Sequence, residues 1–217
     1  MLEWCQFHPE SELLRVWEPA RPFVVLGVGN EAYREVNVPA CEALGIPVLR
    51  RCSGGGAVLQ AKGCLNFTLV LGLQPSRLDI MDTHRRVLDC HASVLAALLK
   101  QPVTRQGTSD LALGALKFSG NAQRRKQTCV LYHGTFLLDA DVELIEKVLR
   151  FPSQQPGYRA GRSHRDFLTA LPLSAVQVSY ALNRAWKTVP FPEEFSPEPV
   201  ARWVREKYAL SEWNFKR

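Results

Sequence analysis

The amino-acid sequence predicts an α+β fold, mixed β-sheets flanked by helices, on three observations. Short β-rich runs separated by turns fill the N-terminal third. Strand-like runs return between residues 110 and 138, with one long amphipathic helical pattern between the two groups. Strands and helices mix without the regular βαβ alternation of a parallel sheet.

Taken in order, residues 13–16, 23–26, 47–49, 57–59 and 67–71 read as strands, being rich in valine, leucine and phenylalanine and bounded by proline, glycine and polar residues. Residues 38–44 form a short helix ended by Gly45. From Asp79 to Leu99 the apolar residues Ile80, Val87, Leu88, Val94, Leu95, Leu98 and Leu99 recur at three- and four-residue intervals, with Asp79 as the N-cap. Strands follow at 110–113, 117–123 and 129–138, the last two a hairpin across the polar turn 124–128. Residues 142–149 form a short helix. Residues 152–172 are rich in serine, glycine, arginine and proline and lack periodicity, so they read as a long ordered loop crossing the active site. Helices at 174–187 and 197–208 close the chain. There is no internal repeat or linker, so a single domain over residues 1–217 is expected.

Composition narrows the class. With 46% hydrophobic and 22% charged residues and a mean hydropathy of −0.12, the 217-residue chain reads as a soluble globular protein large enough for a substantial core. The longest apolar stretch, residues 65–73, is too short to span a bilayer, and Met1 is followed by Glu3 and His8 rather than by a basic and apolar leader. Six scattered cysteines without a CxxC pair read as reduced thiols of a cytoplasmic protein, and no metal site is expected. A net charge of +6 suits an acidic partner, although a solvated basic face accounts for it equally. The basic residues are not interleaved with aromatics, so neither nucleic acid nor membrane is expected as a partner.

Two segments carry chemistry. Arg50-Arg51-Cys52-Ser53-Gly54-Gly55-Gly56-Ala57-Val58 sets two guanidinium groups at a strand end, then three glycines, then another strand. Consecutive glycines admit a ligand close to the backbone, their N–H groups cradle an anion, and arginine is a permanently charged fork for phosphate or carboxylate. It is neither a Walker loop, since no Gly-Lys-Ser/Thr follows, nor a dinucleotide fingerprint, since a strand comes next. A flexible hairpin turn is the plain alternative. In the second segment, Lys117-Phe118-Ser119-Gly120-Asn121-Ala122-Gln123, a regular strand would put Lys117, Ser119, Asn121 and Gln123 on one polar face. A lysine there can hold a carbonyl oxygen and a phosphate, whereas in isolation it reads as a solvated surface lysine. His133-Gly134-Thr135 on the partner strand adds a candidate polar contact.

These segments, together with Gly63-Cys64-Leu65-Asn66-Phe67 and Leu137-Leu138-Asp139, resemble the lipoate-protein ligase and octanoyltransferase family in order and spacing over roughly residues 14 to 150. The resemblance implies the catalytic-domain fold shared with biotin protein ligases. It also implies the chemistry: lipoate or octanoate is activated with ATP and Mg2+ as an acyl-adenylate and passed to a lysine of an acceptor. The implied acceptors are acidic lipoyl domains of 2-oxoacid dehydrogenases or the glycine-cleavage H protein. Carried over by position, Lys117 holds the acyl carbonyl and phosphate, and Arg50, Arg51, Ser53, Gly54, Gly55, Gly56, Ala57, Val58 and Leu59 surround the nucleotide. Asn66, Asp110, Ser119, Gly120, Asn121, Ala122, His133, Gly134 and Thr135 complete the pocket.

The sequence departs from that pattern in three places. Gln60-Ala61-Lys62-Gly63 stands where many family members have His-Asp after the glycine loop. The chain ends short of the C-terminal accessory domain common among the ligases, which bears on the activation half-reaction and leaves a separate accessory protein as one alternative. Neither cysteine position of the ATP-independent transferases is filled, and Phe151-Pro152-Ser153 occupies the second. Transfer through a thioester would fall to Cys52 or Cys64. A non-catalytic subunit that binds the lipoyl-adenylate or the lipoyl domain is a third reading.

Overall fold

The computed structural model describes residues 1–8, 10–72, 79–191 and 196–216. The N-terminal part holds α1 (Leu2–Phe7), β1 (Leu13–Trp17), β2 (Phe23–Leu26), α2 (Ala32–Glu35), α3 (Val38–Ala43), β3 (Val48–Arg50), β4 (Val58–Gln60) and β5 (Cys64–Gly72). The long helix α4 (Ile80–Leu99) is followed by β6 (Thr104–Gln106), β7 (Asp110–Leu113), β8 (Leu116–Arg125) and β9 (Cys129–Leu137). Then come α5 (Val142–Val148), a 3-10 turn (Gly157–Arg159), α6 (His164–Phe167) and α7 (Ala175–Ala185). Helix α8 (Glu198–Trp203) passes into a π-helical turn (Val204–Tyr208), and α9 (Ser211–Asn214) is the last element.

A six-stranded sheet runs β1-β5-β9-β8-β7-β6, antiparallel throughout. A second sheet, β3-β2-β4, is mixed, with β2 parallel to β3 and antiparallel to β4. The expected mixed sheets flanked by helices are therefore present. The mixing is confined to the small sheet, because only there does a helical connection, α2 and α3, return the chain parallel.

Asp79 caps α4 as expected, its side chain accepting from the Asp82 backbone N–H. The stripe Val87, Leu88 and Leu95 is buried against the large sheet with Phe67, Phe118, Tyr132 and Phe136. A second core, Val24, Leu26, Val36, Cys41, Ile145 and Val148, lies between the small sheet and α2, α3 and α5.

Two expectations are corrected. Residues 152–172 are not loop throughout: the 3-10 turn and α6 interrupt them, α6 starting where the Ser163 hydroxyl accepts from the Asp166 N–H. One turn of helix is too short to show a period in the sequence. The helix expected over 197–208 is α-helical only to Trp203. Short elements made by tertiary contact, α2, β6 and α9, carry no sequence signal of their own.

Phe67 is fully buried and stacks on Phe136 with ring centroids 5.2 Å apart. Replacing Phe67 by alanine is expected to cost about 3–5 kcal/mol, read as a lower urea midpoint at unchanged m-value.

Candidate functional site

Neighbouring residues of a strand face opposite sides of a sheet, and the register of the large sheet sorts the candidates accordingly. Asp110 pairs with Gly120, Gly120 with Thr135, Ala122 with His133 and Asn66 with Thr135, so these residues share one face. Ser119, Asn121, Gly134 and Phe136 share the other face, the one covered by α4. The sequence expectation put Lys117 on the face of Ser119 and Asn121. The structure corrects this, because the β7–β8 ladder slips between Leu111 and Ala112, pairing Leu111 with Ser119 and Ala112 with Lys117. Phe118 is the extra residue of this bulge and enters the core. Lys117 is thereby shifted onto the face of Asp110 and Gly120. Its Nζ lies 2.7 Å from Asp110 Oδ1 and in reach of where a Cβ on Gly120 would stand.

That ion pair is a built arrangement. Asp110 is buried, and its second oxygen accepts from the Tyr158 hydroxyl at 2.9 Å, so the carboxylate is held from both sides. Burial and the Asp110 charge push the Tyr158 phenol well above its ordinary value, leaving it a proton donor. Tyr158 comes from the segment expected to cross the site. That segment is tied to the lysine strand by the Thr169 N–H donating to the Lys117 carbonyl and by Arg162 donating to the Ala115 carbonyl.

The glycine loop faces the same side of the sheet. Ser53 Oγ lies 2.6 Å from His133 Nε2, which joins the loop directly to β9. Burial, with Arg51 adding to it, lowers the His133 pKa from 6.5 to about 4, so the ring is neutral at neutral pH. Beyond it, Gln60 donates to Thr135, Thr135 to Asn66, and Asn66 back to Gln60, at 2.8, 2.7 and 2.7 Å. This closed triangle pins β4 and the end of the loop to the large sheet. Gln60 begins the stretch that departs from the family pattern, and its role could not be read from the sequence.

Gly27 explains the loop's position. A Cβ there would strike the carbonyl of Gly55, which itself has φ +90°, and the Val28 N–H donates to the Ser53 carbonyl at 2.8 Å. Arg51 folds back under the loop, donating to the carbonyls of Gly54, Gly56 and Val25. Its burial lowers its pKa to about 10, so it remains a cation. Gly54, Gly55 and Gly56 are exposed, and Ala57 and Val58 are half-buried behind them, with Leu59 in the small core.

Arg50 does not present its charge to this face. It is only 2% exposed and its guanidinium donates to carbonyls of Gly27, Asn30, Trp213, Asn214 and Lys216. The expectation that it contacts the nucleotide directly is therefore corrected: its five N–H groups are already engaged. Ser119, Asn121 and Gly134 also stand apart, on the α4 side. Asn121 donates to the Ser109 carbonyl, and its side chain fills the space that a Cβ on Gly134 would need. Of the two cysteines considered, Cys64 is buried with its thiol toward the Leu59 carbonyl and its pKa raised by burial. Cys52 is half-buried. Among the described residues no group of three His, Cys, Asp or Glu side chains is spaced to hold a metal, and no helix is long and apolar enough to cross a membrane.

An exposed glycine loop backed by the Arg51 cation thus stands on the same polar sheet face as the Lys117–Asp110 pair. The chain belongs to the lipoyl protein ligase A/B catalytic domain family, which it matches over residues 1–178. It is 27% identical to the lipoate-protein ligase LplJ of Bacillus subtilis (strain 168), over 99% of this chain and 68% of that protein. It is 24% identical to the octanoyltransferase LipM of Brevibacillus brevis, over 98% of this chain and 91% of the relative. Its fold is similar to the bi-partite lipoate protein ligase of Thermoplasma acidophilum, whose structural study includes its E2 lipoyl domain. That match has a TM-score of 0.80 and 25% identity, and covers 94% of this chain and 84% of that one.

The folded His133 pKa lies below 6.5, so the unfolded chain takes up a proton that the folded chain refuses. Stability is expected to be level above pH 6.5 and to fall as pH drops toward 4. His84, His91 and His164 are lowered likewise, so His133→Gln should reduce, not remove, the loss of urea midpoint between pH 7 and pH 5.

Proposed function

We propose that this protein attaches lipoate or octanoate to a specific lysine of a lipoyl-domain or glycine-cleavage H-type acceptor, through an acyl-adenylate made from ATP with Mg2+. The observation that carries the reading is the placement of the Lys117 ammonium on the same sheet face as the glycine loop, which is joined to that face by the Ser53–His133 contact. In activation, the carboxylate oxygen of the fatty acid attacks the α-phosphorus of ATP and pyrophosphate leaves. Loop N–H groups match the phosphate, and the Arg51 cation beneath the loop adds its field rather than its hydrogen bonds, which the loop carbonyls already take. In transfer, the acceptor amine attacks the acyl carbonyl, the C–N bond forms, the carbonyl–phosphate bond breaks, and AMP departs while the amine loses its proton. Negative charge builds on the carbonyl oxygen and phosphate, where Lys117 can bond both. Asp110 and Tyr158 hold that ammonium in place beforehand. The chain's net charge of +6 favours an acidic acceptor.

Incubation of the protein with ATP, Mg2+, lipoate and apo-acceptor should add one lipoyl mass to the acceptor. Lys117→Ala should lower the rate by on the order of 10²–10³, with circular dichroism unchanged. Undiminished acylation in that variant removes Lys117 from the mechanism. Tyr158→Phe, which frees one oxygen of Asp110 to compete for Lys117, should lower the transfer rate by about tenfold.

A second reading is ATP-independent transfer of octanoate from a carrier protein. It is favoured by the length of the match to the octanoyltransferase, 91% of that protein against 68% of the ligase. Cys52 is then the nucleophile, since the Cys64 thiol is buried and its ionisation suppressed. An octanoyl thioester on Cys52 after incubation with octanoyl carrier protein would support it, and pyrophosphate release from ATP and lipoate without such an adduct excludes it.

A further inference from the structure

We propose that the C-terminal segment, residues 209–216, is part of the foundation of the glycine loop, and that Asn214 is a positioning residue for it. The inference rests on reading that loop as the nucleotide site. The segment lies beyond residues 1–178 that match the family. It is nonetheless wrapped around the residue from which the loop departs.

Arg50 is the last residue of β3, an edge strand of the small sheet, and the loop begins at the next residue. Its cation is buried, and among the described residues no carboxylate bonds it; backbone carbonyls alone surround it. Those carbonyls come from two places. Gly27 and Asn30 accept from Nη1 at 2.9 and 2.6 Å, and they belong to the turn on which the loop rests. Trp213 accepts from Nε at 3.0 Å, and Asn214 and Lys216 accept from Nη2 at 2.9 and 3.1 Å. A buried cation tolerates little loss among such partners, so the order of the turn and of the C-terminal segment is coupled through one side chain.

The main chain of Arg50 is claimed by the same segment. Its N–H donates to Asn214 Oδ1 at 2.8 Å, and its carbonyl accepts from Trp213 Nε1 at 3.0 Å. The two side chains thus occupy the open edge of β3 in place of another strand. Both are themselves held: Asn214 Nδ2 donates to the Tyr208 carbonyl, and the Lys207 and Lys216 ammonium groups lie 4.0 and 4.1 Å from the centre of the Trp213 ring. The segment therefore fixes where the loop starts.

Asn214→Ala removes both the acceptor of the Arg50 N–H and the donor to the Tyr208 carbonyl and keeps the backbone carbonyls, while Asn214→Asp restores the acceptor alone. Hydrogen exchange of the full-length protein without substrate reads the positioning directly. Exchange over residues 51–58 should rise in N214A by about tenfold or more, with the α4 amides unchanged, and should return toward wild type in N214D. With ATP as varied substrate, N214A should raise KM for ATP by about tenfold and leave kcat and KM for the acceptor within about twofold. Unchanged exchange over 51–58, or an equal rise throughout the chain, overturns the proposal, as does a KM for ATP that N214D fails to restore. Absence of ATP turnover in the wild-type protein overturns the assigned function alone, because the exchange result needs no substrate.

Discussion

The side chains of a β-strand alternate, and this site exists because one strand breaks the alternation once. In β8 the bulge at Phe118 sends a phenylalanine into the core and moves Lys117 to the opposite face. Without the extra residue, Lys117 would point with Ser119 toward α4, into a layer of phenylalanines where an ammonium could not be solvated. With it, the lysine meets Asp110, and the carboxylate is in turn gripped by Tyr158 from a distant segment. Everything else on that face, the Ser53–His133 contact and the Gln60–Thr135–Asn66 triangle, obeys the regular pleat.

The two faces of the large sheet consequently do different work. The α4 face is aromatic and dry, and it supplies the rigidity on which the strands are held. The opposite face is a polar layer whose side chains bond one another across three segments of chain. Polar groups in such a layer are stable only when partnered, and here most of them are. The result is an organised surface on which a charged ligand finds donors already aimed, rather than flexible side chains that must be ordered on binding.

The electrostatics near the loop are set by Arg50 and Arg51, which no carboxylate bonds among the described residues. Arg50 and Arg51 are both desolvated and both satisfied by carbonyl dipoles, which leave their net charge uncancelled. The neutral His133 records this field, since Arg51 helps to suppress its protonation. An anion placed over the exposed glycines enters a positive region, and burial of the cations limits how far salt can screen it.

Much of this was legible in the sequence, and the parts that were not have physical reasons. The strands, the capped helix α4 and the glycine loop were visible because each leaves a local pattern: alternation, a 3.6-residue period, or a run of residues with special backbone freedom; Lys117 was singled out only by the family resemblance. The bulge was not, because a slip in register is decided by pairing with β7. Arg50 looked like a ligand for the same reason that Arg51 did: two adjacent arginines are indistinguishable until the fold shows that one is covered by the C-terminal segment and the other lies under the glycine loop. What covers Arg50 lies more than 160 residues away in the chain. Tyr158 fell within a segment expected to cross the site but without periodicity to single it out. A sequence shows which residues have the chemistry to act, whereas which of them is free to act depends on how much of that chemistry the fold has already spent on itself.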